Sequence, residues 1–202
     1  MAEPSFARSL FNCDDASSLK LANGNRFIRK LPDDRSLGYL HKLYAPLDDS
    51  KLERMSDAIG CRLPEEFQSF LQWSNGASLF DNQLNVFGSV ALLSRSIDPE
   101  RQQPISIENS NRTFSMVERG RWLEGWTKIG SVVGWDSNYG IELHRDGRCN
   151  VVSESGDLTT PSLSRCLTTI IDRISPCFSC TGIIDRSKAE IEAALSSLIR
   201  HH

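Results

Sequence analysis

The sequence predicts an α+β fold in three parts: N-terminal helices, a central antiparallel sheet and C-terminal helices. Three observations carry that reading. Leu63–Phe80 (LPEEFQSFLQWSNGASLF) reads as a helix that turns sharply into a strand. Gly140–Leu143 and Asn150–Ser153 form a candidate hairpin around Arg145-Asp146-Gly147, whose Asp-Gly pair favours a tight turn. Leu163, Leu167, Ile170, Ile171 and Ile174 then make a strong helical face that stops at Pro176.

Taken in order, residues 1–30 give no clean period, and Asn23-Gly24-Asn25 reads as a turn. Pro32-Asp33-Asp34 is placed to start a helix with Leu37, Leu40, Leu43 and Tyr44 along one side, weakened by Gly38 and ended by Pro46. Ser50 and Glu53 stand as a capping box for the next helix. Leu52, Met55 and Ile59 are its apolar stripe, and Gly60 terminates it.

The organising helix follows. Pro64 suits a first turn, where its missing N–H is not needed, and Glu65 and Glu66 sit at the positive end of the helix dipole. Phe67, Phe70 and Leu71 recur at i, i+3 and i+4, and Asn75-Gly76 tolerates the left-handed backbone of a helix end. Trp73 reads as a tryptophan at the rim of that apolar face.

Beyond Ser78 the period shortens. Gln83–Gly88 is expected to be a strand, and Val90–Leu93 a short apolar continuation. Residues 95–112 carry two prolines and much polarity, so a long surface loop is expected. Phe114, Met116 and Val117 open a short helix, Trp122 and Trp126 flank Gly125, and Ile129–Gly134 reads as a buried strand. Lys188–Ile199 is a terminal amphipathic helix.

The pattern LPxxFxxFLxxxNG followed by SLF resembles the Smi/Knr superfamily, also called SUKH, of bacterial immunity proteins and fungal cell-wall regulators. The segment WTKIGSVVGWDSNYGIELHRDGRCNVVSESGD, followed by a helical run, is similar to the strand series of that family. The resemblance covers roughly Asp48 to Ile174 and its motifs are structural. It implies a Smi/Knr-like domain over 48–175, an N-terminal extension over 1–47 with one helix, and a C-terminal helical extension over 176–202.

Composition sets further bounds. With 39% hydrophobic and 24% charged residues, the chain suits a soluble globular protein with a sizeable core. No apolar run approaches the roughly 20 residues of a membrane helix. The N-terminus lacks a continuous apolar segment of the kind a secretory signal has, so the expected location is the cytoplasm and the expected state of the six cysteines is reduced. Asn111-Arg112-Thr113 is a formal glycosylation sequon, read as chance in that setting.

The net charge of −3 is unevenly placed: residues 45–94 hold seven acids (Asp48, Asp49, Glu53, Asp57, Glu65, Glu66, Asp81) against three bases (Lys51, Arg54, Arg62). A mildly acidic chain without a basic stripe is a poor nucleic-acid binder. Its acids suit a basic protein partner, and they equally suit a solvated helix face.

No motif specifies a reaction. GxSxG, HExxH, GxxxxGK[ST] and GxGxxG are all absent. Cys177-Phe178-Ser179-Cys180 is a lone CxxC, and Cys166, His144, His201 and His202 do not stand at ordinary spacing to complete a four-ligand zinc site. Neither metal nor cofactor is expected. Glu65 and Glu66 are adjacent, so they point to different sides of a helix and cannot face one another as a carboxylate pair.

Trp135, Asp136, Asn138 and Tyr139 cluster in WDSNYG between two expected strands. That segment fits an exposed contact patch, and it fits a turn whose aromatics fold back onto the sheet. The expected function is non-enzymatic binding of a protein partner. By resemblance this is a toxin-neutralising immunity protein, with a regulatory or scaffold protein as the alternative and an enzyme with a dispersed site as the weakest. The candidate contact residues are Asp48, Asp49, Asp57, Trp135, Asp136, Asn138 and Tyr139.

Overall fold

The computed structural model describes residues 13–31, 38–91, 98–133, 138–154 and 156–179, with Ala7, Leu10, Ser96, Glu190, Ala193, Ala194, Ser196 and Ser197. Nine strands form one antiparallel sheet whose spatial order is the chain order. They are β1 (Leu19–Lys20), β2 (Arg26–Lys30), β3 (Tyr39–Leu43), β4 (Ala77–Leu79), β5 (Leu84–Val86), β6 (Trp126–Val133), β7 (Asn138–His144), β8 (Cys149–Ser153) and β9 (Gly156–Thr160). Two helices interrupt the meander after β3, α1 (Asp49–Ile59) and α2 (Glu65–Trp73). Two more follow β5, α3 (Ile107–Val117) and α4 (Arg119–Glu124), and α5 (Leu163–Ile174) follows β9. The α+β class expected from the sequence is the class observed.

Apolar spacing explains the packing of the helices. Leu52, Met55 and Ile59 of α1, Phe67, Phe70 and Leu71 of α2, and Leu163, Cys166, Leu167, Ile170, Ile171 and Ile174 of α5 are all buried. They meet Ile129, Ile141, Leu143, Cys149 and Val151 of the sheet in one continuous core. Phe67 and Phe70 stack with centroids 6.0 Å apart, and Phe70 reaches Trp73 at 5.9 Å. Trp73 is half-buried at the rim of that core, where the sequence placed it.

A single carboxylate joins two helices across the core. Glu66 accepts the backbone N–H groups of Leu163 at 2.9 Å and Ser164 at 2.8 Å, at the start of α5. The positive end of α5 therefore meets an anion from α2. Glu65 and Glu66 do not face one another as neighbours on the helix, and no local spacing marks this cap, because its partner stands 97 positions away.

Several expectations are corrected. Leu40 and Leu43 lie on strand β3, not on a helix begun at Pro32; residues 32–37 are outside the described set. β3 is paired on both edges and buried at four of its five positions, which removes the alternation that marks a strand. Strands β1 to β3 therefore precede α1 and belong to the same sheet as the rest, while Ala7 and Leu10, ahead of β1, are helical. Asn23–Asn25 does turn, with Gly24 at φ 95°, but between two strands.

The cap of α1 is Asp48, whose side chain accepts from Lys51 N at 2.9 Å, and not the Ser50–Glu53 box. The last third of the expected loop 95–112 is helix: Ser106 caps α3 and accepts from Asn109 N, and Ile107, Asn111 and Phe114 face inward. A buried asparagine on that inward face breaks the apolar period, so the helix was not legible. Met116 and Val117 end this helix and do not open one.

The Asp146-Gly147 hairpin and the terminus of α1 at Gly60 (φ 72°) stand as expected. The terminal helix Lys188–Ile199 and the apolar run Val90–Leu93 lie largely outside the described residues.

Candidate functional site

Helix α1 places Asp49, Glu53 and Asp57 at i, i+4 and i+8, which stacks three exposed carboxylates along one stripe. Together with Leu52, Ser56, Gly60, Cys61, Arg62 and Gln68 they line a groove of about 790 Å³. A second groove of about 980 Å³ adjoins it and shares Gly60, Cys61, Arg62 and Gln68. Its far wall is Trp122, Gly125, Trp126, Thr127 and Arg145. The two make one two-lobed cleft, and at their junction Cys61 Sγ lies 3.4 Å from Thr127 Oγ1.

The three acids of α1 are not equivalent to Asp48. Asp48 is fully engaged at the helix start: it accepts from Ser50 Oγ at 2.7 Å and Lys51 N at 2.9 Å, and it pairs with Lys51 Nζ at 3.1 Å. The Ser50 hydroxyl, first among these bonds, helps hold its carboxyl at a pKa of about 2. Asp49 accepts from Gln72 Nε2 at 2.6 Å, which ties α1 to α2. Asp57 occupies the last turn of α1, at the negative end of the helix dipole, and no basic residue stands there to offset it. The helix dipole disfavours an acid at that place.

The structure does not unite the expected contact residues. Trp135 and Asp136 lie outside the described residues. Asn138 opens β7 and is exposed. Tyr139 is 4% exposed and belongs to the core, so its ring is not on the surface. Asn138 pairs with Val133 at one end of the β6–β7 ladder, whereas Trp126, which lines the cleft, pairs with His144 at the other. Strand rise separates those ends by about 23 Å. Asp57 lines the lobe that meets Thr127, so it belongs to the Trp126 end of the ladder and not to the Asn138 end.

Behind the cleft a charged network fixes α4 to the sheet. Arg121 Nε donates to Glu142 Oε2 at 2.7 Å, and Arg121 Nη1 lies 3.4 Å from Asp157 Oδ2. The Arg121 guanidinium also sits 5.1 Å from the centre of the Trp126 ring, with Arg148 at 6.0 Å and the His144 ring at 5.0 Å. Burial pushes the Glu142 carboxyl up from its ordinary pKa, against the lowering pull of Arg121. Residue spacing offers no signal for this pair, because Arg121 and Glu142 meet only when α4 folds onto β7.

The sequon asparagine is structural. Asn111 is 1% exposed; its Nδ2 donates to Lys128 O at 2.8 Å and its Oδ1 accepts from Lys128 N at 2.8 Å. These bonds stand beside the register shift between Lys128 and Gly130, where β6 departs from its ladder. A side chain so engaged presents no amide to a glycosylating enzyme. Among the described residues no group of three or more His, Cys, Asp or Glu side chains is placed to hold a metal ion. Cys180 of the CxxC is outside them. Among the described residues no helix is long and apolar enough to cross a membrane.

A meander sheet with one helix pair inserted between its third and fourth strands and a second between its fifth and sixth defines an α+β domain. The model of the SMI1 / KNR4 family (SUKH-1) matches residues 46–162, more than half of the chain, and the chain belongs to that family. The match begins two residues before the α1 cap and ends at Ser162, the cap of α5. No curated protein matches the chain.

Proposed function

We propose that this chain is a non-enzymatic binding protein of the immunity type, which neutralises a toxin domain by covering a basic surface with the α1 side of its cleft. Family membership supports an immunity-like or regulatory role. The observation that carries the finer reading is the stripe Asp49–Glu53–Asp57 along an open groove, ending in an acid that the helix dipole disfavours. A charge retained where it costs local stability is explained by what it meets outside the chain. Carboxylates on one face also steer a basic partner and raise its association rate.

The test is co-purification with candidate proteins encoded beside the gene, followed by binding kinetics against any partner captured. Association is expected to slow as salt rises past about 0.15 M, where screening acts within roughly 8 Å. Asp57→Lys and Glu53→Lys are expected to slow it further, with little change in dissociation. Rates indifferent to salt and to both variants overturn the electrostatic account. Recovery of a partner that is not a toxin moves the chain to the regulatory branch of the family.

A further inference from the structure

We infer that the cleft takes a partner segment bearing a carboxylate beside a cationic side chain, and that Arg145 anchors the carboxylate. The inference rests on the binding-protein reading above and specifies the chemistry of the segment that enters.

Both signs of charge line the cleft and neither is neutralised within it. Asp49, Glu53 and Asp57 line one lobe, Arg145 and Glu65 the other, and Arg62 both. Among the described residues, Arg62, Arg145, Glu53, Asp57 and Glu65 form no ion pair. Other arginines of this region do pair: Arg121 with Glu142 and Asp157, and Arg148 with Asp146. Opposite charges that share one cleft without closing on each other leave it able to accept a second set of charges from outside.

Arg145 has a seat made for it. Gly125 ends α4 in the left-handed region at φ 98°, and a Cβ added there would collide with the Arg145 guanidinium. The arginine side chain therefore packs on bare backbone, and the backbone N–H of Arg145 donates to Gly125 O at 3.2 Å. The packing of the guanidinium on Gly125 restrains the long side chain without using its charge, so less rotamer entropy is lost when a carboxylate arrives. A guanidinium takes a carboxylate in paired N–H···O bonds, and the half-buried Trp122 beside it offers apolar surface.

The same arrangement rejects the simpler segments. A wholly basic segment running the length of the cleft meets Arg62 and Arg145, and a wholly acidic one meets the α1 stripe. Only a segment with both signs satisfies both lobes, so repulsion as well as attraction sets the choice.

The test uses the full ¹⁵N-labelled chain and three synthetic peptides: a repeat of Lys-Leu-Glu, an all-lysine peptide and an all-glutamate peptide. The mixed peptide is expected to move the amide signals of Gly125 and Arg145 together with that of Asp57. Arg145→Glu is expected to weaken the mixed peptide about fivefold or more and not to weaken the all-lysine peptide. Arg145→Gln, which keeps the side-chain length, is expected to show the same loss in smaller degree. Unchanged signals away from the cleft establish that the variants are folded. Equal binding of the mixed peptide by the parent and both variants overturns the inference. An all-lysine peptide that moves the α1 amides, with the mixed peptide leaving Gly125 and Arg145 unmoved, overturns it too but leaves the basic-partner reading standing. If no peptide moves a cleft amide, the inference is overturned, and the basic-partner reading is decided separately by the association kinetics described above.

Discussion

Arg121 donates through Nε to Glu142 Oε2 at 2.7 Å, and this pair couples the short helix α4 to the middle of the sheet. The Glu142 side chain is 5% exposed and that of Arg121 27%, so the carboxylate has exchanged its water for one guanidinium. Removing the arginine alone strands a buried charge, which costs more than the pair contributes as a whole.

Arg121→Met is therefore expected to destabilise the chain by about 2–4 kcal/mol, a value discounted for the partly exposed arginine. Combining it with Glu142→Met should recover part of that loss. Denaturant unfolding of the two single variants and the double variant checks this. Single costs that simply add would show that the two side chains do not act as a unit.

Phe70 is 3% exposed and lies between Phe67 and Trp73. Phe70→Ala is expected to cost about 3–5 kcal/mol, from lost transfer energy and the cavity left behind. An unchanged denaturation midpoint would remove α2 from its central place in the core.

Acid should weaken this protein through His41. The ring is 2% exposed, Phe80 N donates to its Nδ1 at 3.3 Å, and burial lowers its pKa from 6.5 to about 3. In that interval the unfolded chain binds a proton that the folded chain refuses. Stability therefore falls as pH drops from 6.5 towards 3, by up to about 1.4 kcal/mol for each pH unit. His41→Gln should lower stability at neutral pH and flatten this slope. Melting temperatures recorded for both proteins between pH 7 and pH 4 make the comparison, and parallel curves would count against His41.

Asp48 and Asp57 should separate cleanly. Asp48→Ala removes the cap of α1 and should lower the melting temperature. Asp57→Ala should leave it unchanged or raise it slightly, because the acid faces the negative end of its helix. In binding experiments the order should reverse, with Asp57 the more sensitive. A drop in melting temperature for Asp57→Ala would make that acid structural.

Local chemistry by itself determined the parts of this protein whose partners are near in sequence or whose pattern is regular. The helix from Pro64, the Gly60 stop, the turn at Asp146-Gly147 and the apolar face of Leu163–Ile174 follow from dihedral preference and a 3.6-residue period. The acidity of residues 45–94 was equally visible. Only the tertiary structure decided what long-range contact decides. β3 is a strand because β2 and β4 pair with both of its edges, and α3 is a helix although Asn111 faces inward, because Asn111 finds the backbone of Lys128. Tyr139 belongs to the core, Glu66 caps a helix far along the chain, and Asp48 is committed to its own helix while Asp57 remains open to the cleft. The spacing of residues carries the period of an element but not the identity of its neighbour. Burial and charge pairing are properties of neighbours, and they exist only once the sheet has brought distant segments together.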